Sequence, residues 1–190
     1  LIELRDTARN LVLEKLLKGD PLTTILEHIE NFYEQEKSGA LCSVILVNAK
    51  EQPLNLKKSS ILAEHDSESI EQARTGIIAE DIANHPNSKL SKSKISNTQL
   101  VTCWSEPIIG SNNQLLGTFV INQSKPSTPT EDDLKLLEFA VQLSVLAIER
   151  NLSDEKLRLS SRVFSDTNEG IIITDVAGRI IDVNPAFRSV

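Results

Sequence analysis

From Leu1 to Lys18 the apolar positions Leu4, Ala8, Leu11, Val12 and Leu16 recur at intervals of three and four, beside a charged face of alternating sign. This pattern predicts an amphipathic helix, ended by Gly19. Asp20 and Pro21 then offer an N-cap and a proline at the first helical position. Leu22, Ile25, Leu26, Ile29, Phe32 and Tyr33 carry a second helix to about Lys37, before Ser38-Gly39. The period changes at Leu41. Through Val47 both alternating faces are apolar apart from Ser43, the mark of a central strand covered on both sides. After a turn at Asn48–Pro53, Leu54 and Leu56 begin a weaker partner strand, and Ile61, Leu62 and Ile70 suggest a short helix in a polar stretch. Gly76–Ala79 reads as a short strand ending at Glu80-Asp81, and Ala83–Ser96 as a Ser/Lys-rich loop. Leu100–Ile109 and Leu115–Asn122 form a hairpin around Gly110-Ser-Asn-Asn113.

Pro126–Thr130 is a linker that delivers Thr130 as N-cap with Asp133 at N3. A long helix follows, with Leu134, Leu137, Val141, Ser144 and Ile148 on one face. Without Gly or Pro to interrupt it, the helix runs past Leu152 and Leu159 to about Arg162. Near the end, Ile171–Ile173 and Ile180, Ile181, Val183 read as two strands around the turn Asp175-Val-Ala-Gly178. Asn184-Pro185 then caps and opens a helix. No repeat of 20–50 residues is visible.

Composition narrows the partners. The 190 residues are 39% hydrophobic, enough for one domain with flanking helices, and carry a net charge of −7. An acidic body is repelled by nucleic-acid backbones and anionic membrane surfaces. Lys89, Lys92 and Lys94 lie in a serine-rich loop and make no basic patch. No apolar run approaches the ~18 residues of a membrane span and no signal-peptide pattern opens the chain, which points to the cytoplasm. Cys42 and Cys103, the two cysteines, each sit in a strand-like run where a small buried thiol is the expected role; their spacing suggests no disulfide framework. The absence of Met, even at position 1, fits an interior piece of a longer protein.

Two resemblances organise the chain. Residues 169–187 match the string E-G-I-x-x-x-D-x-x-G-x-I-x-x-x-N-x-A-F at every fixed position, and so resemble the opening of a PAS domain. Upstream, Leu16–Leu22, Cys42–Leu46, Asp81-Ile82, Cys103–Ile108, Leu116–Phe119 and Ala147–Arg150 resemble one subgroup of GAF domains, found in bacterial sensors ahead of PAS, GGDEF and EAL domains. The segment Leu56–Thr75 departs from that subgroup: it is short and lacks the usual Gly-Ser-Cys-Gly turn. The resemblance implies an α+β fold, a GAF-type antiparallel sheet with helices packed on it and long helices at both ends. It also implies sensory or dimerising work. The expected divisions are a signalling helix (1–19), a GAF domain (20–150), a helical linker (151–162) and an incomplete PAS hairpin (163–190).

Candidate chemistry is sparse. Trp104, Ser105 and Glu106 offer a ring and two polar groups to a small ligand, with Ser43, Ile45, Cys103 and Thr118 on neighbouring strand positions. The competing reading is core packing with hydrogen bonds at a strand end. His28, His65 and His85 have no His or Cys at ligand spacing, so no metal or haem cofactor is expected. Neither thiol has the Cys-His context of bilin attachment, and the reductases among GAF proteins use several reactive cysteines. There is no Gly-rich phosphate loop, and Asp132-Asp133 suits a helix N-terminus better than a catalytic pair. The expectation is therefore a non-enzymatic regulator. Ile148, Leu152 and Leu159, interrupted by Glu155, continue as a coiled-coil seam that joins Leu4 and Leu11 in a parallel homodimer. A ligand or neighbouring domain would bias these terminal helices and reach an output domain beyond Val190, for cyclic-di-GMP turnover or a histidine kinase. A ligand-free dimerisation scaffold and a redox enzyme based on Cys42 and Cys103 are the alternatives.

Overall fold

A computed structural model describes residues 2–47, 53–55, 76–79 and 101–188. It divides into two compact units, residues 1–149 and 150–190. The partner strand expected from Leu54 is described over Pro53–Asn55, while Leu56, the short helix at Ile61–Ile70, Asp81-Ile82, the loop at Ala83–Ser96, His65 and His85 lie outside the described residues, as does the side chain of Leu4.

In the first unit, α1 (Ile2–Lys18) ends where Gly19 takes φ +73°. The Gly19 N–H donates to the Leu16 carbonyl and the Asp20 N–H to that of Lys15, which closes the helix in a Schellman turn. The Asp20 carboxylate accepts from Lys15 Nζ at 3.2 Å and so is not the cap of the next helix. Pro21 (ψ 141°) holds the N-cap position instead, and α2 (Leu22–Glu36) starts one residue later than the sequence suggests. α2 buries Ile25, Leu26, Ile29 and Tyr33 against the sheet.

The strands are β1 (Ala40–Val47), β2 (Pro53–Asn55), β3 (Ile77–Ala79), β4 (Thr102–Ile109) and β5 (Leu115–Gln123). They form one antiparallel sheet in the order β2-β1-β5-β4-β3. Because β2 pairs β1 only at Ile45–Val47, the first half of that edge is finished by α2. Val44 N–H donates to Glu30 Oε1 at 2.9 Å and Cys42 N–H to Glu34 Oε1 at 2.7 Å. These bonds are why a glutamate only 3% exposed is tolerated at position 30.

Register fixes two faces. Cys42, Ile121 and Trp104 form one cross-strand row; Val44, Phe119 and Glu106 form the next. This face meets α2, Val12 of α1 and the first half of α3 (Glu131–Asp166), and holds the main core. A register slip near Ile108/Ile109 leaves Leu116 without a direct partner, and its side chain joins that core.

Thr130 and Asp133 make the expected capping box: Thr130 N–H and Oγ1 donate to Asp133 Oδ2, and Asp133 N–H donates to Thr130 Oγ1. The buried stripe of α3 is Leu136, Leu137, Ala140, Leu143, Ser144, Ala147 and Ile148. The expected stripe is thus rotated: Leu134 is exposed and Val141 half-buried. Ala140 and Ala147, both fully buried, belong to the observed stripe, which the spacing of the larger apolar residues does not reveal.

In the second unit, β6 (Ile172–Thr174) and β7 (Ile180–Val183) pair antiparallel. Asp175 Oδ1 accepts the N–H groups of Ala177 and Arg179, and Gly178 turns at φ +79°. Asn184 is fully buried: Oδ1 accepts from the N–H of Ile171 (2.8 Å) and of Phe187 (3.1 Å), while Nδ2 donates to the Glu169 carbonyl (2.8 Å). It is the N-cap of α4 (Pro185–Arg188), with proline at the first helical position as expected.

Candidate functional site

The side of the sheet opposite α2 and α3 gathers most of the expected site residues. Ser43 pairs with Val120, which pairs with Ser105; Ile45 pairs with Thr118, which pairs with Pro107; Asn122 pairs with Cys103. With strands about 4.8 Å apart, each row spans about 10 Å. Ser43, Ile45, Cys103, Ser105, Thr118 and Val120 are all buried. The described residues of this face carry hydroxyl, thiol, amide and aliphatic groups and no formal charge, a surface suited to hydrogen bonding and contact with a neutral part of a small molecule. Val120 was not among the expected residues. The alternation of β5 around Thr118 is the signal that points to it.

Trp104 and Glu106 do not join this group. Successive strand residues face opposite sides, so both point toward the helices. Trp104 is a core residue with the Lys37 ammonium 5.7 Å from its ring centroid. Its Nε1 is buried with no hydrogen-bond partner among the described residues. Lys37 in turn donates to Asp133 at 2.8 Å, which ties the end of α2 to the start of α3. Burial acts to raise the Asp133 carboxyl, but the hydrogen bonds from Lys37 and Thr130 outweigh it and hold the group below the usual carboxylate range. Glu106 is moved upward by burial and by the nearby charge of Glu138.

Both thiols are free and buried. Burial pushes Cys103 up to about 12, so it is protonated at neutral pH. Cys42 lies on the opposite face and is separated from β4 by β5, about 10 Å away, beyond the ~7 Å Cα limit for a disulfide. Among the described residues no cluster of three or more His, Cys, Asp or Glu is placed to hold a metal ion.

The expected dimer seam divides. Ile148, 4% exposed, is spent in the core of its own chain and is not free for an interface. Leu11 (40%), Leu152 (45%) and Leu159 (62%) are exposed.

An antiparallel sheet of this order, with helices on one face and a buried polar-apolar patch on the other, defines an α+β module. Residues 20–148 match the GAF domain family model, and the chain belongs to that family. It is 27% identical over 197 aligned residues to the methyl sulfide methyltransferase-associated sensor of Methanosarcina acetivorans. That alignment covers 93% of this chain and 20% of the relative, so the chain spans about a fifth of the relative's length. Among solved structures, it is similar to the GAF domain of an Acinetobacter phosphoenolpyruvate-protein phosphotransferase (TM-score 0.57, 14% identity, 80% of this chain and 97% of that one). It is also similar to the free methionine-R-sulfoxide reductase of Neisseria meningitidis in complex with its substrate (TM-score 0.58, 10% identity, 80% of this chain and 90% of that one). No helix among the described residues is long and apolar enough to cross a membrane.

Proposed function

We propose that the chain is the sensory GAF module of a multidomain signal-transduction protein in the cytoplasm, and that it binds a small molecule against the second face of its sheet. One observation carries this reading. Six buried side chains on that face, three with hydroxyls, meet no helix of the described main core. The name of the Methanosarcina relative supports sensing, and the Neisseria fold relative is in complex with its substrate. The module follows a signalling helix (1–19), spans residues 20–150 and passes through the linker 151–162 to the start of a PAS domain at 163–190, in a homodimer that regulates cyclic-di-GMP turnover or a histidine kinase. The turn at Asp175–Gly178 and the cap at Asn184 agree with that PAS opening. The redox reading requires an accessible thiolate, and burial drives Cys103 the other way.

A thermal-shift screen of nucleotides, amino acids and small aromatics tests the proposal. A binder at about 100 times its Kd adds about 2.7 kcal/mol of stability and raises the melting temperature. Ser105→Leu, which fills the face, should abolish that shift while the variant stays folded. A shift that survives Ser105→Leu places binding elsewhere, and no shift in any class leaves the scaffold reading.

A further inference from the structure

Among the described residues, two polar contacts, one near each end, fasten the first half of α3 to the rest of the first unit. At its start Asp133 is held by Lys37. Sixteen residues on, about 24 Å along the helix, Glu149 Oε1 accepts from the backbone N–H of Ser111 at 2.6 Å and from Ser111 Oγ at 2.7 Å. Glu149 is the last residue of the first unit, and it follows Ile148, the last buried residue of α3. Ser111 lies in the turn that joins β4 to β5, the two strands that carry Cys103, Ser105, Thr118 and Val120.

The turn is built to receive the carboxylate. Its own closure uses other groups: Gly110 N–H donates to the Gln114 carbonyl (2.8 Å) and Asn113 N–H to that of Gly110 (3.0 Å), with Asn113 at φ 58°. Both Ser111 donors are thereby left for α3. A Cβ on Gly110 would lie 2.9 Å from Glu149 Oε1 and 3.0 Å from Leu116 Cδ1, so a side chain there would displace the carboxylate or the leucine. The Ser111 hydrogen bonds, backbone first, hold the Glu149 carboxyl below its usual range, so it is ionised and a strong acceptor at neutral pH.

We propose that the Gly110–Asn113 turn is a latch that grips α3 through Glu149 where the helix leaves the GAF core, so that a shift of the β4–β5 hairpin is passed to the helix. Glu149 is a positioning residue in this account. Its signalling role rests on the sensory reading above, but its grip on the helix does not.

Hydrogen exchange on the 190-residue chain, without any ligand, separates the two. Glu149→Ala should speed exchange about three- to tenfold, the loss expected of a partly exposed charge-assisted bond, in the turn 110–114 and in helix residues 145–153 together. Amides of β1 and α2 should keep their rates. Ser111→Pro, at the second position of the turn where proline is accepted, removes both donors and should reproduce the helix effect from the strand side. Glu149→Gln keeps an acceptor oxygen and should fall between wild type and alanine. Acceleration confined to the turn would overturn the latch, as would uniform acceleration across β1, α2 and α3. Neither result bears on ligand binding, which the thermal-shift screen reads separately.

Discussion

Single residues set hard limits on this fold. Gly117 sits in β5 opposite Leu46, where an added Cβ would be 2.4 Å from the Ile45 carbonyl oxygen, a backbone atom that cannot step aside. Gly117→Ala should therefore cost at least about 3 kcal/mol, well above the usual effect of a point substitution, and chemical denaturation will show it as an early midpoint or an unfolded chain. Asp133 gives a pH-dependent case. Its folded pKa lies below the ordinary value of 3.8, so its contribution is full above that value and is lost as pH falls through the folded pKa. Asp133→Asn should cost about 1–2 kcal/mol at pH 7 through the weakened cap and the lost Lys37 pair. Melts at pH 7 and pH 3 should show that gap narrowing in acid; a constant gap would mean the carboxylate charge is irrelevant.

At the scale of elements, much was legible because the signals are local. The 3.6 period of α2, the β4–β5 hairpin around Gly110–Asn113, the Thr130–Asp133 box and the Asn184-Pro185 cap all depend on neighbours in sequence, and the structure reproduces them. What sequence spacing missed depends on contacts across the fold. Trp104 and Ser105 are neighbours in sequence but face apart on the strand, and the buried stripe of α3 includes Ala140 and Ala147, small residues that the spacing of the larger apolar ones passes over. Ser111 and Glu149 are 38 residues apart and carry no motif that joins them. Ile148 looked like the start of a seam for the same reason: its spacing is right for either the core or an interface, and packing chose the core. The seam positions still exposed, Leu11, Leu152 and Leu159, carry the dimer proposal. Leu11→Glu with Leu152→Glu should give a folded monomer where light scattering finds the unmodified chain dimeric at about tens of micromolar, a range in which a specific interface persists. A monomeric unmodified chain at that concentration removes the dimer from the account.

At the scale of the whole molecule, the two faces of one sheet differ in what packs on them. The face of Val44, Phe119 and Trp104 packs against α2 and α3; the face of Ile45, Thr118 and Val120 is the one proposed to take a ligand. Methyl NMR of the chain, titrated with a compound selected by the thermal-shift screen, separates these directly because residues adjacent in sequence report opposite faces. Shifts concentrated at Ile45, Thr118 and Val120, with Val44, Leu136 and Leu137 unmoved, are the predicted result. Shifts centred on Val44, Leu136 and Leu137, with Ile45 and Val120 silent, would contradict it.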